Sequence, residues 1–382
     1  MDFSWSEAQL MMRDEAFAFA QQELDRDVSR RDRTGDFCRD IWQRCASYGI
    51  LRLSVPEKYG GRDDTDILTA MLIMEGLGHG SRDNGLAFAL NAQLWTVQLP
   101  IVRFGSEEQK ERWLPALCSG DAIGAHAITE PDAGSDVFSL QTSATRCEGG
   151  YRLNGVKRHV TSAPIADLAL VFATIDPALG KWGITAFVVQ KGTQGFRAGP
   201  PREKMGLRTI PLGDFFFDDC FIPEENRIGP EGAGVSISTH SLEYERCCIL
   251  ASQLGAMERQ LETCIEYARE RRQFGKPIGA FQSVSNRIAE MKLRLETARL
   301  LLYKVAWLKK AGKPAMLEAA LLKLYLSESF VQSGLDAIRI HGGNGYMTEF
   351  EVERDLRDAI GGTLFAGTSD IQRNIVARLL GL

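Results

Sequence analysis

The stretch HAITEPDAGSD, residues 126–136, lies where the chain changes character. The sequence before it reads as helix and the sequence after it as strand. Within the stretch, Thr129 and Ser135 bring hydroxyls, and Ala133 and Gly134 bring almost no bulk. Backbone and hydroxyl donors could therefore approach a phosphate or the polar edge of a ring closely. The same residues would also serve as a surface turn before a strand, and local chemistry does not choose between the two.

Toward the N-terminus, residues 1–122 follow helical spacing. SEAQLMMRDEAFAFAQQEL (6–24) opens on Ser6 as an N-cap and sets Leu10, Met11, Phe17 and Phe19 among acids and glutamines. LTAMLIMEGLGHG (68–80) and VQLPIVRFG (97–105) each close on glycine. SEEQKERWLPALCSGD (106–121) has Ser106 as cap, acids in its first turn and Gly120 beyond its last. Toward the C-terminus, YRLNGVKRHVTS (151–162) and GITAFVVQKGTQGFRAG (183–199) mix β-branched and aromatic residues with Asn-Gly and Gly-Thr punctuation, the pattern of strands and hairpins. LGDFFFDDCFIP (212–223) reads as a further strand stopped by proline. After EGAGVS the long segments 283–312 and 318–340 return to helical spacing. The outline is α+β: helices over 1–122, a compact β unit over 123–231 and a helical bundle over 232–382.

Composition sets limits. The 382 residues are 44% apolar and 25% charged, as in an ordinary globular protein, and the net charge of −5 gives no basic stripe for nucleic acid. The N-terminus, MDFSWSEAQL, lacks the apolar segment of a signal peptide, and no uninterrupted apolar run approaches the ~20 residues that cross a bilayer. The expectation is a cytoplasmic protein that does not enter a membrane. The eight cysteines have no C-x-x-C spacing and lie far from the five histidines in sequence, so reduced thiols are expected, with no metal.

Three more segments carry chemistry. ARERRQFGKPIGAFQSV (268–284) surrounds Phe274 with Arg271, Arg272 and Lys276 and follows with Gln282, a pyrophosphate grip or a solvated basic helix end. IHGGNGYMTEF (340–350) admits close backbone approach at Gly342, Gly343 and Gly345, but it is not a dinucleotide fingerprint. LFAGTSDIQRNI (364–375) places an aromatic residue, a tight turn and hydroxyls before a helix, with Ala366 where chemistry would want a base.

Together and in this order, TEPDAGSD, RRQFGKPIGAFQ, GGNGY and GTSDIQR resemble the acyl-CoA dehydrogenase family along essentially the whole chain. The resemblance implies an N-terminal helical domain, a middle β-barrel or sandwich domain and a C-terminal four-helix bundle. It also implies FAD as cofactor and assembly as a homotetramer or dimer. The reaction it implies removes two hydrogens from the α and β carbons of an acyl thioester, with a carboxylate as base. By position, Ile128 and Thr129 would contact the isoalloxazine, Gly134 and Ser135 would lie beside cofactor or thioester, and Thr161 would offer a hydroxyl. Thr368 would touch the other end of the same FAD. Arg271, Phe274, Gln282 and the Gly342–Gly343 turn would reach the FAD of a neighbouring subunit. Three positions depart from the family pattern. His159 replaces an aromatic residue packed on the flavin, Arg339 replaces a glutamine near the diphosphate, and His126 stands where an aromatic residue or leucine is common.

In straight-chain members the base is a glutamate directly after the aromatic residue of LFAGTSD, which here is Ala366. Other members carry it on a helix of the C-terminal domain, and in LEYERCCILA (242–251) Glu245 falls on that position, beside Arg246. Ala366 and Arg246 would then border the substrate pocket. The apolar run after Glu245 would desolvate its carboxyl and strengthen it as a base. Glu243 lies roughly 200° around the helix, so the two cannot share a pocket, and periodicity does not choose between them. GHGSRDNGLAFALNAQLW (78–95), CEGGYRLNG (147–155) and FQSVSNRIAEMKLRLE (281–296) resemble the carrier-protein-linked members of prolyl type. The implied substrate is a small or aminoacyl group on a carrier protein in secondary metabolism, with a short- or branched-chain acyl-CoA as alternative. An electron-transfer flavoprotein or oxygen would accept the electrons. Arg202, Lys204 and Arg208 are candidates for docking an acidic carrier. A flavin monooxygenase or a non-catalytic FAD-binding protein of the same fold would be readings of another class.

Overall fold

The computed structural model describes residues 4–382. Ser6 caps the first helix, Glu7–Glu23: its hydroxyl accepts the Gln9 N–H, and the Gln9 side chain accepts the Ser6 N–H. Ser106 and Gln109 repeat this capping box at Glu107–Cys118. Between them, Asn84–Phe104 runs as one helix, widened to π turns over Gln93–Gln98. By length and composition it is apolar enough to cross a bilayer, which the broken pattern of its sequence did not suggest. However, 89% of its most apolar window is buried inside the protein, as in a core helix. At the π turns, Gln93 donates to Leu117 O at 3.0 Å and accepts from Gly124 N at 2.8 Å, fastening the first strand to the helices.

Eight strands follow: β1 (Gly124–Ala127), β2 (Ser143–Cys147), β3 (Gly150–Thr161), β4 (Leu168–Thr174), β5 (Ile184–Gln190), β6 (Phe196–Ala198), β7 (Leu212–Pro223) and β8 (Arg227–Ile228). They form one sheet in the order β6-β7-β3-β2-β4-β5-β8, with β1 parallel to β4. Side chains alternate along each strand, so β4 and β5 serve two cores. Leu170, Phe172 and Val188 pack under Trp113 and Leu117 of the preceding helix. Val171 and Phe187 meet Tyr151, Leu153, Phe215 and Phe217 from β3 and β7, so the sheet encloses a core of its own.

One polar anchor sits in this apolar setting. Lys157 on β3 is fully buried. Its Nζ donates to Ile128 O at 3.1 Å and to Glu130 Oε1 at 2.6 Å. Glu130 also accepts from the backbone N–H groups of Gln141 and Thr142. Burial alone would raise the Glu130 carboxyl, but the Lys157 charge and these hydrogen bonds hold it below the usual carboxylate range. The register of β3 against β7 breaks just beyond, between Lys157 and Val160, where His159 takes a φ of 57°. Such a bulge re-aims side chains.

From Gly234 the chain is helical again, chiefly in Gly234–Cys248, Ala251–Glu270, Gln282–Lys310, Met316–His341, Val352–Gly362 and Ser369–Leu379. The helices at the two ends of the chain share one core: Ala16, Leu77 and Leu90 lie in the same cluster as Leu254, Leu302 and Leu326. They approach closely at Gly78 and Gly255, where an added methyl would lie 1.9 Å from Ser252 O and 2.0 Å from Glu75 O. The eight cysteines are free thiols, most of them buried.

Replacing Lys157 by Met leaves the Glu130 charge buried without its cation and is expected to cost about 3–5 kcal/mol in a urea titration. Adding Glu130→Gln should recover part of that loss. Strictly additive losses in the double variant would show that the two charges do not depend on each other.

Candidate active site

A cavity of about 910 Å³ opens between the β unit and the last helices. Ile128, Thr129, Gly134 and Ser135 line it from the loop after β1, and His159 and Thr161 from β3. Glu245 and Arg246 face it from the helix Gly234–Cys248, and Ala366 and Thr368 from the turn before Ser369–Leu379. The hydroxyls of Thr129, Ser135 and Thr161 have no hydrogen-bond partner among the described residues and remain free to bind something in the cavity. A Cβ built at Gly134 would meet no protein atom within 4 Å, so the fold itself does not require a glycine there.

The helix Gly234–Cys248 carries two glutamates with different surroundings. Glu243 forms an ion pair with Lys309 and does not line the cavity. Glu245 lines it, and its carboxylate has neither a hydrogen bond nor an ion pair among the described residues. Burial pushes the Glu245 carboxyl up to about 7, against the pull of the Arg246 and Lys323 cations. Arg246 does not close an ion pair with its neighbour. It instead donates to Ala366 O at 3.4 Å, in the turn before the last helix.

The turn at Ala366 is held through its backbone. Gln372 donates to Ala366 O and to Gly367 O, each at 3.0 Å. Both residues are left-handed, with φ of 56° and 86°. The Phe365 ring lies 4.6 Å from that of Phe88, and Thr368 caps the following helix by accepting the Ile371 N–H.

Two histidines reach the cavity in different states. His126 packs edge-on against Phe172, and burial pushes it down to about 4, so its ring is neutral. The His159 imidazole is exposed to the cavity without a partner, while its backbone N–H donates to Asp214 at 3.3 Å. Arg202 is spent on that same Asp214 and is not a free docking charge. Lys204 lines the cavity and donates to Leu207 O.

The remaining sequence-predicted residues are not in this cavity. Arg271, Phe274, Gln282, Arg339, Gly342 and Gly343 are all exposed in the C-terminal part, where Phe274, 91% exposed, sits in the turn of a small hairpin that pairs Arg272–Gln273 with Lys276–Pro277. Tyr267 stacks on His341 at 4.2 Å and accepts from Asn344, which ties the helix end before Arg271 to the Gly342 turn. Sequence reasoning singled out Lys204 as a docking charge but missed that it forms a wall of the cavity together with Met205, Gly206 and Leu207. That loop is docked by Asp358, which accepts the Leu207 N–H and the Asn84 side-chain amide.

Comparison with known proteins agrees with this architecture. Descriptions of the acyl-CoA dehydrogenase N-terminal, middle and C-terminal domains match residues 6–121, 125–220 and 232–381 in turn. An L-prolyl-peptidyl-carrier-protein dehydrogenase of Serratia sp. is 45% identical over 100% of this chain and 99% of its own. The crystal structure of the prolyl acyl carrier protein oxidase AnaB superposes with a TM-score of 0.98 at 49% identity, covering 99% of this chain and 100% of that one. A structure of PigA with FAD and proline gives 0.97 at 44% identity, with both chains covered in full. With its three parts matched in order and its relatives aligned end to end, the chain belongs to the acyl-CoA dehydrogenase family.

Proposed function

We propose that the protein oxidises the Cα–Cβ bond of a prolyl group held as a thioester on a carrier protein, with FAD as cofactor and Glu245 as base. The observation that carries the reading is that one cavity is lined by an unpaired carboxylate at 245 and by a methyl group, not an acid, at 366. The prolyl and carrier-protein parts rest on the likeness to the Serratia dehydrogenase and to AnaB.

FAD fits the residues present. The free hydroxyls of Thr129, Ser135 and Thr161, the open space at Gly134, and Ile128, His159 and Thr368 form a wall with unspent donors. The chemistry that bound FAD supplies is acceptance of the hydride leaving the β carbon. Glu245 takes the α proton, and its desolvated surroundings match its strength to neutral pH. Arg246 holds the Ala366 turn against the base helix and so keeps the pocket's two sides in register. The surrounding apolar residues Phe88, Leu242 and Phe365 exclude water from the proton transfer. Arg271, Phe274, Gln282, Arg339 and the Gly342–Gly343 turn, exposed in a single chain, are assigned to the cofactor of a second copy, which makes the working protein a homo-oligomer.

Glu245→Gln should keep the yellow of bound flavin but lose anaerobic bleaching by the thioester about 10²–10⁴-fold. Glu243→Gln should bleach at close to the normal rate, and a fully active Glu245→Gln protein would sink the assignment. In the unmodified protein kcat/KM should rise with pH through about 7, because only the ionised Glu245 accepts a proton. Its acid limb should vanish in any activity left to Glu245→Gln. Ala366→Glu in a Glu245→Gly background should restore part of the bleaching, because both positions border the cavity. For the substrate, intact mass would compare prolyl and short acyl groups on a carrier protein with the same groups on CoA. Loss of two hydrogens confined to prolyl carrier protein is expected, and loss confined to acyl-CoA would overturn the carrier reading.

A further inference from the structure

The helix Met316–His341 packs against the helix that carries Glu245. Met316 lines the cavity, and Lys323, two turns further on, lies on the same helical face. Lys323 sits in the apolar run EAALLKLYL and is 0% exposed. Its Nζ has no hydrogen-bond partner and forms no ion pair among the described residues. A buried ammonium without an acceptor is costly, and mutation to a similar apolar side chain would ordinarily be favoured. Nothing in the packing of the helix uses the charge.

The charged groups around it are few. On the base helix, Glu243 is neutralised by Lys309, and Arg246 is turned to Ala366 O. On the helix of Lys323 itself, Glu328 lies 3.7 Å from Arg373. Arg378, on the last helix, acts on Arg246, and the π turns Gln93–Gln98 bring no charge. Burial pushes the Lys323 amine down to about 8, against the pull of Glu245 and Glu328, while Glu245, which closes no hydrogen bond or ion pair among the described residues, feels both Arg246 and Lys323. The two unpaired groups thus sit on helices that pack together, Glu245 at the cavity and Lys323 buried behind it.

We infer that Lys323 is a positioning residue for the base: its buried ammonium holds the Glu245 carboxyl in the ionised form that accepts a proton. The inference rests on Glu245 being the base. Opposite charges at close range in a medium of low dielectric favour each other's ionised forms, whereas burial disfavours both. Lys323 therefore offsets part of the desolvation that Glu245 suffers. Fold stability should be sacrificed to this arrangement, since an unpaired buried cation destabilises the native state.

The test combines a pH profile with a stability measurement on the full-length, FAD-loaded protein. Lys323→Met removes the charge at similar volume. The acid limb of kcat/KM is expected to move upward by about one pH unit, about a tenfold loss on the acid side, while the urea midpoint stays or rises. Lys323→Gln, a neutral polar variant, should give the same shift if Met folds poorly, and Lys323→Arg, which keeps the charge, should leave the limb in place. Infrared difference spectra against Glu245→Gln should show the carboxyl band titrating at the same shifted pH. A limb that Lys323→Met and Lys323→Gln leave unmoved overturns the inference, as does an equal shift in Lys323→Arg. A limb that survives in Glu245→Gln instead overturns the assignment of the base.

Discussion

The loop from Ile128 to Ser135 forms one wall of the cavity, yet its only regular pairing is a single bridge between Glu130 and Ala133. It is held from behind. Lys157 on β3 reaches through the core to Ile128 O and Glu130, and Glu130 in turn gathers the N–H groups of Gln141 and Thr142. A loop fastened on its buried side need not use its exposed hydroxyls to hold itself together. Because Lys157 lies two residues before His159 on the same strand, the same ion pair sets two faces of the cavity relative to each other. Burying such a pair is not a cheap route to stability, but it fixes geometry where apolar contacts would allow sliding.

The opposite wall relies on asymmetry within one helix. Glu243 and Glu245 differ by two positions and share a sequence neighbourhood, but a cation from the distant helix Gln282–Lys310 neutralises the first. The second is left with burial as its dominant influence. Two identical side chains therefore meet different surroundings, one closed into an ion pair and the other left open to the cavity.

Local signals were readable where they are local. Ser6 and Ser106 cap the helices that their spacing implied, and LGDFFFDDCFIP is a strand from its first residue to its proline. The division of helices into opening and closing groups was visible too, but not that both would merge in one core, since that depends on contacts such as Gly255 against Glu75. The cavity was legible only through the resemblance, which joined segments that are weak alone. The loop Lys204–Leu207 was legible only as a positive charge at Lys204: it has no periodicity, and its place in the cavity wall is set by a hydrogen bond to Asp358, 151 residues further along. Periodicity left Glu243 and Glu245 equivalent because the cation that separates them comes from elsewhere in the chain. Lys323 reads as an ordinary helix lysine, and only its burial marks it as unusual.

The turn at Ala366 has a wider meaning. Its shape is maintained by Arg246 and Gln372, and both bond to main-chain oxygen. No interaction that holds the turn passes through the side chain of residue 366. The frame of the turn is thus independent of what residue 366 carries beyond its backbone, and its methyl group faces the cavity without bearing any of the contacts that hold the turn.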